Sequence, residues 1–266
     1  MTLPVTIAGA RGRMGSTLVD LVSASPTLSV AGATLGPQEV APTQSAVAAE
    51  LYTHDLADAL SGSQVFIDFT TPDTIAAHAR ACAAADVGWV LGTTGLDTAQ
   101  QEAVQSAAQH IPICQAANFS TGVNLMLRLV ELAAGAVDED TDLEVMEAHH
   151  RHKVDAPSGT ALAIGEAMAR ARGVTLDEHA VMSRQGITGP RPEGAIGFAT
   201  VRAGDIVGEH TALFASDGER LEITHRAGTR EAFARGACRA ALWLEGRAPG
   251  LYDMQDVLGL REEGNK

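Results

Sequence analysis

Val5-Thr6-Ile7-Ala8-Gly9-Ala10-Arg11-Gly12-Arg13-Met14-Gly15 decides the fold. A short apolar run with β-branched residues meets glycines at every third position, and Met14 to Val22 then carries a helical pattern. After a strand, such glycines permit a tight turn, let the backbone approach a pyrophosphate and let helix and strand pack closely. The helix N-terminus adds an attraction for phosphate. Arg11 and Arg13 bring positive charge to the same turn. Position 10 is alanine where Gly-x-Gly-x-x-Gly, aligned on Gly12 and Gly15, has its first glycine, so a purely structural turn stands beside the nucleotide reading.

The alternation continues outward. Strands are expected at Leu28 to Ala33, Val65 to Phe69, Gly88 to Leu91 and Ile111 to Ala116, with helices from Thr74 to Ala85 and from Thr98 to His110. Repeated βα units imply a Rossmann-type, doubly wound parallel sheet covered on both faces. Two more strand ends carry small residues, Gly92-Thr93-Thr94-Gly95 and Ala116-Ala117-Asn118-Phe119, where a flat nucleotide can lie against backbone. The usual acidic ribose reader after the second strand is missing from Gly32 to Gln38. Glu39 is the nearest carboxylate, so NADH and NADPH both remain open as cofactors.

After Asn118 the pattern changes. A helix from Asn124 to Ala136 precedes a strand at Leu143 to His149, and further strands at Ile196 to Arg202, Ile206 to Phe214 and Arg220 to Arg226 follow in succession. Ala203-Gly204-Asp205 reads as a turn flanked by two of them, Ile196 to Arg202 and Ile206 to Phe214. The expected class is α/β with a second α+β domain carrying an open mixed sheet. The first domain is assigned to residues 1–120 and 229–266, because the amphipathic helix Arg230 to Glu245 returns to it. Residues 121–228 form the second.

The chain has 266 residues, with 19 Lys and Arg against 33 Asp and Glu and a formal net charge of −14. An acidic surface disfavours nucleic acid and anionic membranes, so neither is expected as a partner. Cys82, Cys114 and Cys238 are widely separated and lack Cys-x-x-Cys spacing, which excludes a disulfide framework and fits a reducing compartment. With no charged and apolar leader pattern and no long apolar run, a cytoplasmic protein is expected.

Against that acidic background Glu147-Ala148-His149-His150-Arg151-His152-Lys153-Val154-Asp155-Ala156-Pro157-Ser158-Gly159-Thr160 concentrates three histidines, an arginine and a lysine. A solvated loop and a zinc site compete as readings, but no His-Glu-x-x-His helix is present and no metal is expected. Ser158-Gly159-Thr160 opens a helix, so cationic groups and a helix N-terminus converge on an anion, a carboxylate or phosphate. The histidines and lysine supply protons. His54, His78, His110 and His179 read as surface or packing residues; His210 and His225 lie on strands, either near the site or as cross-strand partners.

Together with the run Ile196 to Thr211, these segments make the chain resemble the dihydrodipicolinate reductase (4-hydroxy-tetrahydrodipicolinate reductase) family over nearly its whole length. The resemblance implies reduction of a cyclic dicarboxylate by NADH or NADPH in diaminopimelate and lysine biosynthesis. It implies that His149 and Lys153 serve proton transfer, and that His150, Gly159 and Thr160, with Ser158 beside them, hold the substrate carboxylates. It further implies that Gly9, Ala10, Arg11, Gly12, Arg13 and Met14, then Gly92, Thr93 and Thr94, then Ala116, Ala117, Asn118 and Phe119 contact the nucleotide. A homotetramer assembled through the second domain's sheet is implied as well. Arg151 and His152 receive no role, although strand alternation would place Arg151 beside His149.

Overall fold

A computed structural model describes residues 2–261. In chain order the strands are β1 Leu3–Ile7, β2 Leu28–Thr34, β3 Tyr52–Thr53, β4 Val65–Asp68, β5 Gly88–Leu91, β6 Pro112–Gln115, β7 Asp142–His149, β8 Ala180–Val181, β9 Ile196–Arg202, β10 Gly208–Ser216, β11 Glu219–Ala227 and β12 Gly250–Tyr252. They form two sheets, and the chain divides into two compact units, residues 1–121 with 230–266 and residues 122–229.

The first unit holds a seven-stranded sheet in the order β12-β6-β5-β4-β1-β2-β3, with every pairing parallel. The chain leaves β1 toward β2 on one side and later returns to β4 on the other, which makes the carboxyl ends of β1 and β4 a topological switch point. Both faces are covered because successive strand side chains point to opposite sides. Val5, Ile7, Val65, Ile67 and Val90 meet the helices Arg13–Ser23 and Glu231–Leu244. Phe66, Trp89, Leu91 and Ile113 meet the helices Ile75–Ala85 and Thr98–Ala107. The second strand pair of this unit that the sequence pattern left out, β2 with β3, and the last, β6 with β12, are only two or three residues long. Such short pieces carry too little periodicity to stand out.

The glycine turn is sterically obligatory. Gly9 has φ +56°, and a Cβ on Gly15 would lie 2.1 Å from the Gly9 carbonyl oxygen and 2.8 Å from the Ala10 Cα. No β-carbon fits there, so the first helix can approach β1 only with glycine. Gly12 caps that helix without a side chain, so no capping side chain accepts from its opening N–H groups.

The second unit holds a five-stranded mixed sheet in the order β11-β10-β7-β9-β8. β9 and β10 flank the expected turn at Ala203-Gly204-Asp205, but they do not pair with each other. β7 lies between them, parallel to β9 and antiparallel to β10. The turn therefore crosses the end of β7, where the Ala203 N–H donates to the His149 carbonyl at 2.9 Å and the Arg151 N–H to the Gly204 carbonyl at 3.2 Å. The inward face of β7, Leu143 and Val145, packs with the helices Thr121–Ala136 and Gly159–Ala171 through Met126, Val130, Ile164 and Met168.

The helix Glu231–Leu244 packs closely enough that a Cβ on Gly236 would sit 1.7 Å from the Phe119 carbonyl oxygen. Gly236→Ala is expected to destabilise the fold by about 3 kcal/mol, at the upper end for overpacking. Denaturant unfolding of the variant against the parent checks this, and an unchanged midpoint contradicts it.

Candidate active site

Along the inward face of β7 the residues change from Leu143 and Val145 to Glu147 and His149, so the core face runs directly into a polar cluster. Its neighbours follow from register. Glu147 pairs with Thr200 on β9 and His210 on β10, and His149 pairs with Arg202.

Glu147 is 3% exposed and its carboxylate is fully engaged. Arg202 donates to it from Nη1 and Nη2, each at 2.7 Å. His149 Nδ1 lies at 2.6 Å, the Ser158 N–H donates at 3.2 Å and the Thr200 hydroxyl at 3.3 Å. Burial works to raise the pKa of Glu147, but the bonds from Arg202 and His149 and their charges outweigh it and hold the carboxyl below its usual range. With Nδ1 turned to this carboxylate, His149 has Nε2 as its remaining nitrogen. A Cβ on Gly208 would come within 3.0 Å of that atom, so glycine there keeps it uncrowded. Burial depresses the His149 pKa; the bond and charge of Glu147 oppose this, and the charges of Lys153 and Arg202 reinforce it.

Arg202 also donates to the Asp155 carbonyl at 2.7 Å, and the Asp155 carboxylate accepts from Lys153 Nζ at 2.8 Å. Ser158 caps the helix Gly159–Ala171, its hydroxyl accepting from the Ala161 N–H at 3.1 Å. The same hydroxyl meets His210 Nε2 at 2.9 Å, and the His210 ring stands edge-on to His149 with centroids 5.1 Å apart. Burial, then the neighbouring His149 charge, pulls the His210 pKa down to about 4.

His149, Lys153 and Ser158 thus share one hydrogen-bonded network, with Gly159 and Thr160 as the first residues of the adjoining helix. His150 is half-buried and its Nδ1 has no partner among the described residues. Arg151 and His152 are exposed in a turn, because β7 ends at His149 and strand alternation stops with it. Arg202 and His210 are site residues that sequence reading left without a role. The signal for them lay in the run Ile196 to Thr211, but only strand order brings it to β7.

In the first unit the three loops follow the carboxyl ends of β1, β5 and β6. Thr34, at the end of β2, accepts from the Gly9 N–H through its hydroxyl at 2.9 Å, while its carbonyl accepts from the Ala10 N–H at 2.9 Å. It braces the glycine turn where a ribose-binding carboxylate would otherwise stand. Glu39 is turned inward on its own loop, accepting from the Gly36 N–H at 2.8 Å. Gly92 makes room for a ring, since a Cβ would fall 2.2 Å from Phe69 Cε1. Phe69 in turn packs edge-on against Phe119, which is buried in the core, so a ligand at this loop meets Phe119 through backbone. Asp68, fully buried, accepts from the Thr70 hydroxyl at 2.6 Å and lies 2.7 Å from His78 Nδ1, giving His78 a partner that its isolation in sequence concealed.

Family models for the dihydrodipicolinate reductase N-terminus and C-terminus match residues 3–119 and 122–258. The chain belongs to the dihydrodipicolinate reductase family. It is therefore an NAD(P)H-dependent oxidoreductase. It is 49% identical to the 4-hydroxy-tetrahydrodipicolinate reductase of Thiobacillus denitrificans over 98% of this chain and 100% of that one. The enzyme of the same name from Neisseria meningitidis serogroup C is 50% identical, covering 97% and 98%. Among solved structures, a dipicolinate-bound dihydrodipicolinate reductase from Paenisporosarcina superposes with a TM-score of 0.78 at 25% identity, covering 96% of this chain and 99% of that one.

The depressed His210 pKa has a consequence for stability. The unfolded chain binds a proton at His210 near pH 6.5 and the folded chain only near 4, so stability is complete above about pH 6.5 and falls as the pH drops toward 4. His149, shifted in the same direction, adds to the slope. The His210 contribution is at most about 3 kcal/mol. Urea unfolding across this range checks it, with His210→Gln expected to flatten the slope; a parent protein equally stable at pH 7 and pH 4.5 contradicts it.

Proposed function

We propose that this chain reduces the cyclic dicarboxylate 4-hydroxy-tetrahydrodipicolinate to tetrahydrodipicolinate in diaminopimelate and lysine biosynthesis, with residues 1–120 and 229–266 binding nucleotide and residues 121–228 binding substrate. The observation that carries the reading is the network around His149 and Lys153 at the start of the helix Gly159–Ala171. A dianion needs donors, and here the His150 ring, Lys153 and the opening N–H groups of that helix supply them. Gly159 supports this, because no atom lies within 4 Å of the Cβ it lacks and its φ is not positive, so neither packing nor backbone strain demands glycine. Close approach of a ligand does.

The first unit fits a nicotinamide dinucleotide, since Gly9, Gly12 and Gly15 let the chain turn tightly from β1 into the first helix and Gly12 caps that helix with no side chain. Gly9 to Met14 would hold the pyrophosphate, with Gly92 to Thr94 and Ala116 to Phe119 along the remainder. When bound, the nicotinamide supplies hydride. Neither Thr34 nor Glu39 presents a free carboxylate against a 2′-phosphate, so NADH and NADPH both serve.

In the second unit the residues manage charge and protons. The 4-hydroxyl first leaves as water, taking a proton from a donor while the neighbouring ring carbon gives one up. Hydride addition to the resulting conjugated imine then leaves one negative charge, shared between nitrogen and ring carbon, that takes up a single proton. His149 rests neutral because its site is buried, and two substrate carboxylates beside it raise its proton affinity, so it becomes charged with substrate present. Lys153 exchanges Asp155 for a substrate group and serves as the second donor. Positioned proton transfer of this kind contributes about 10² to 10⁴-fold.

A homotetramer built through the second unit's sheet is part of the reading, with the protein in the cytoplasm. It is supported by Met146 and Val201, which are 38% and 52% exposed on the sheet face opposite the helices. No described helix is long and apolar enough to cross a membrane.

With substrate generated by the preceding synthase, NADH and NADPH are both expected to be oxidised. A KM ratio beyond a thousandfold, about 4 kcal/mol, contradicts shared use. Lys153→Ala is expected to lose about 10²-fold or more in kcat while its fluorescence titration with NADPH stays that of the parent; retained turnover removes Lys153 from the mechanism. Sedimentation velocity is expected to show a tetramer that Val201→Glu dissociates, and a monomeric parent refutes the assembly.

A further inference from the structure

Two charged residues of the second unit face the proton-transfer groups without being assigned to the substrate. Glu147 has a side chain 1% exposed and Arg202 one 19% exposed, and they are joined by two parallel bonds of 2.7 Å. Bidentate carboxylate–guanidinium pairs are directional as well as strong, so the plane of one fixes the plane of the other. Each partner then reaches a different proton donor. Glu147 Oε2 holds His149 by Nδ1 at 2.6 Å, and Arg202 Nη2 holds the Asp155 carbonyl at 2.7 Å, one residue segment from the Lys153 ammonium that Asp155 engages. Glu147 also takes the Ser158 N–H, which ties the start of the anion-facing helix to the same carboxylate.

We propose that Glu147 and Arg202 are a positioning pair for proton transfer, fixing His149 by its Nδ1 and the Lys153 loop through the Asp155 carbonyl while contacting no ligand themselves. This rests on the reading of His149 and Lys153 as the proton-transfer residues. The pair divides two tasks that oppose each other. Glu147 favours a charged His149, and Arg202 withdraws part of that carboxylate and adds its own positive charge, so the histidine stays a willing acid. The other charged or titratable groups facing His149 are Lys153 and Asp155 from the loop and His210 from β10, with His225 of β11 behind His210.

The test is the pH profile of kcat in the complete NADPH-dependent reaction. For a general acid the rate falls as pH rises through its pKa in the complex. Glu147→Gln removes the negative charge, so this basic limb is expected to move to lower pH by about one unit. Arg202→Gln leaves the carboxylate to His149 alone, so the limb is expected to move to higher pH by about one unit. Substrate KM is expected to change less than kcat in both. A residue that merely held the fold together would lower both rates without moving the limbs apart, so limbs that stay fixed or move together overturn the proposal. Should either variant fail to fold, histidine-selective 15N spectra of the parent protein with NADPH alone, where no dicarboxylate charges the ring, decide it. A neutral His149 carrying its proton on Nδ1 is expected, and a proton on Nε2 overturns the pairing. His149→Gln separates the two levels. If it keeps full turnover, the proton-transfer reading falls and this inference with it; if it loses turnover while the limbs stay together, only the positioning pair falls.

Discussion

A buried carboxylate organises the second half of this protein. Leaving the Glu147 charge in a site 3% exposed without partners would cost several kcal/mol, so the surrounding chain must bring donors to it. Those donors come from three places that are distant in sequence or direction: Arg202 and Thr200 on β9, His149 two residues along β7, and the Ser158 N–H where the next helix begins. Satisfying all of them requires β9 to lie beside β7 in this register and the loop 150–157 to close back over the strand. The requirement that Glu147 be solvated by protein thus coincides with the arrangement that gathers His149, Lys153 and the helix start.

The first unit depends on a steric condition in place of an electrostatic one. Backbone of the first helix and the turn before it approach too closely for any side chain at Gly15, and Thr34 locks the turn with both its hydroxyl and its carbonyl. Asp68 does comparable work at β4, joining Thr70 to His78 on the following helix. These contacts hold loops at the sheet's carboxyl edge rigid, which is where a scaffold must be stiff if a flexible dinucleotide is to bind with little loss of order.

The same residues separate what local pattern can and cannot reveal. The βα alternation, the glycine turn and the cationic stretch at 149–153 were legible because each is a contiguous signal, a period of two or 3.6 or a cluster of one chemistry. The strand order around the turn at 203–205 was not legible for the converse reason. A turn between two strands looks the same in sequence whether the strands pair or a third inserts between them. Here β7 inserts, since its polar end needs Arg202 from one neighbour and His210 from the other. Glu147 was visible as a member of the cluster, but its office was not, because a carboxylate's partners are set by distance and not by spacing.

By itself the sequence determined the class of the fold, the division into a nucleotide-type α/β part and a mixed-sheet part, and the family. Those follow from periodicity and from residues such as Gly9, Gly12 and Gly15, whose constraint is local backbone sterics. Only tertiary structure decided that Arg202 faces Glu147, that His210 leans on His149 and caps back to Ser158, and that Arg151 turns outward while His149 turns in. Strand order and the desolvation of a charge are properties of the packed chain, and neither leaves a period in the sequence to be read.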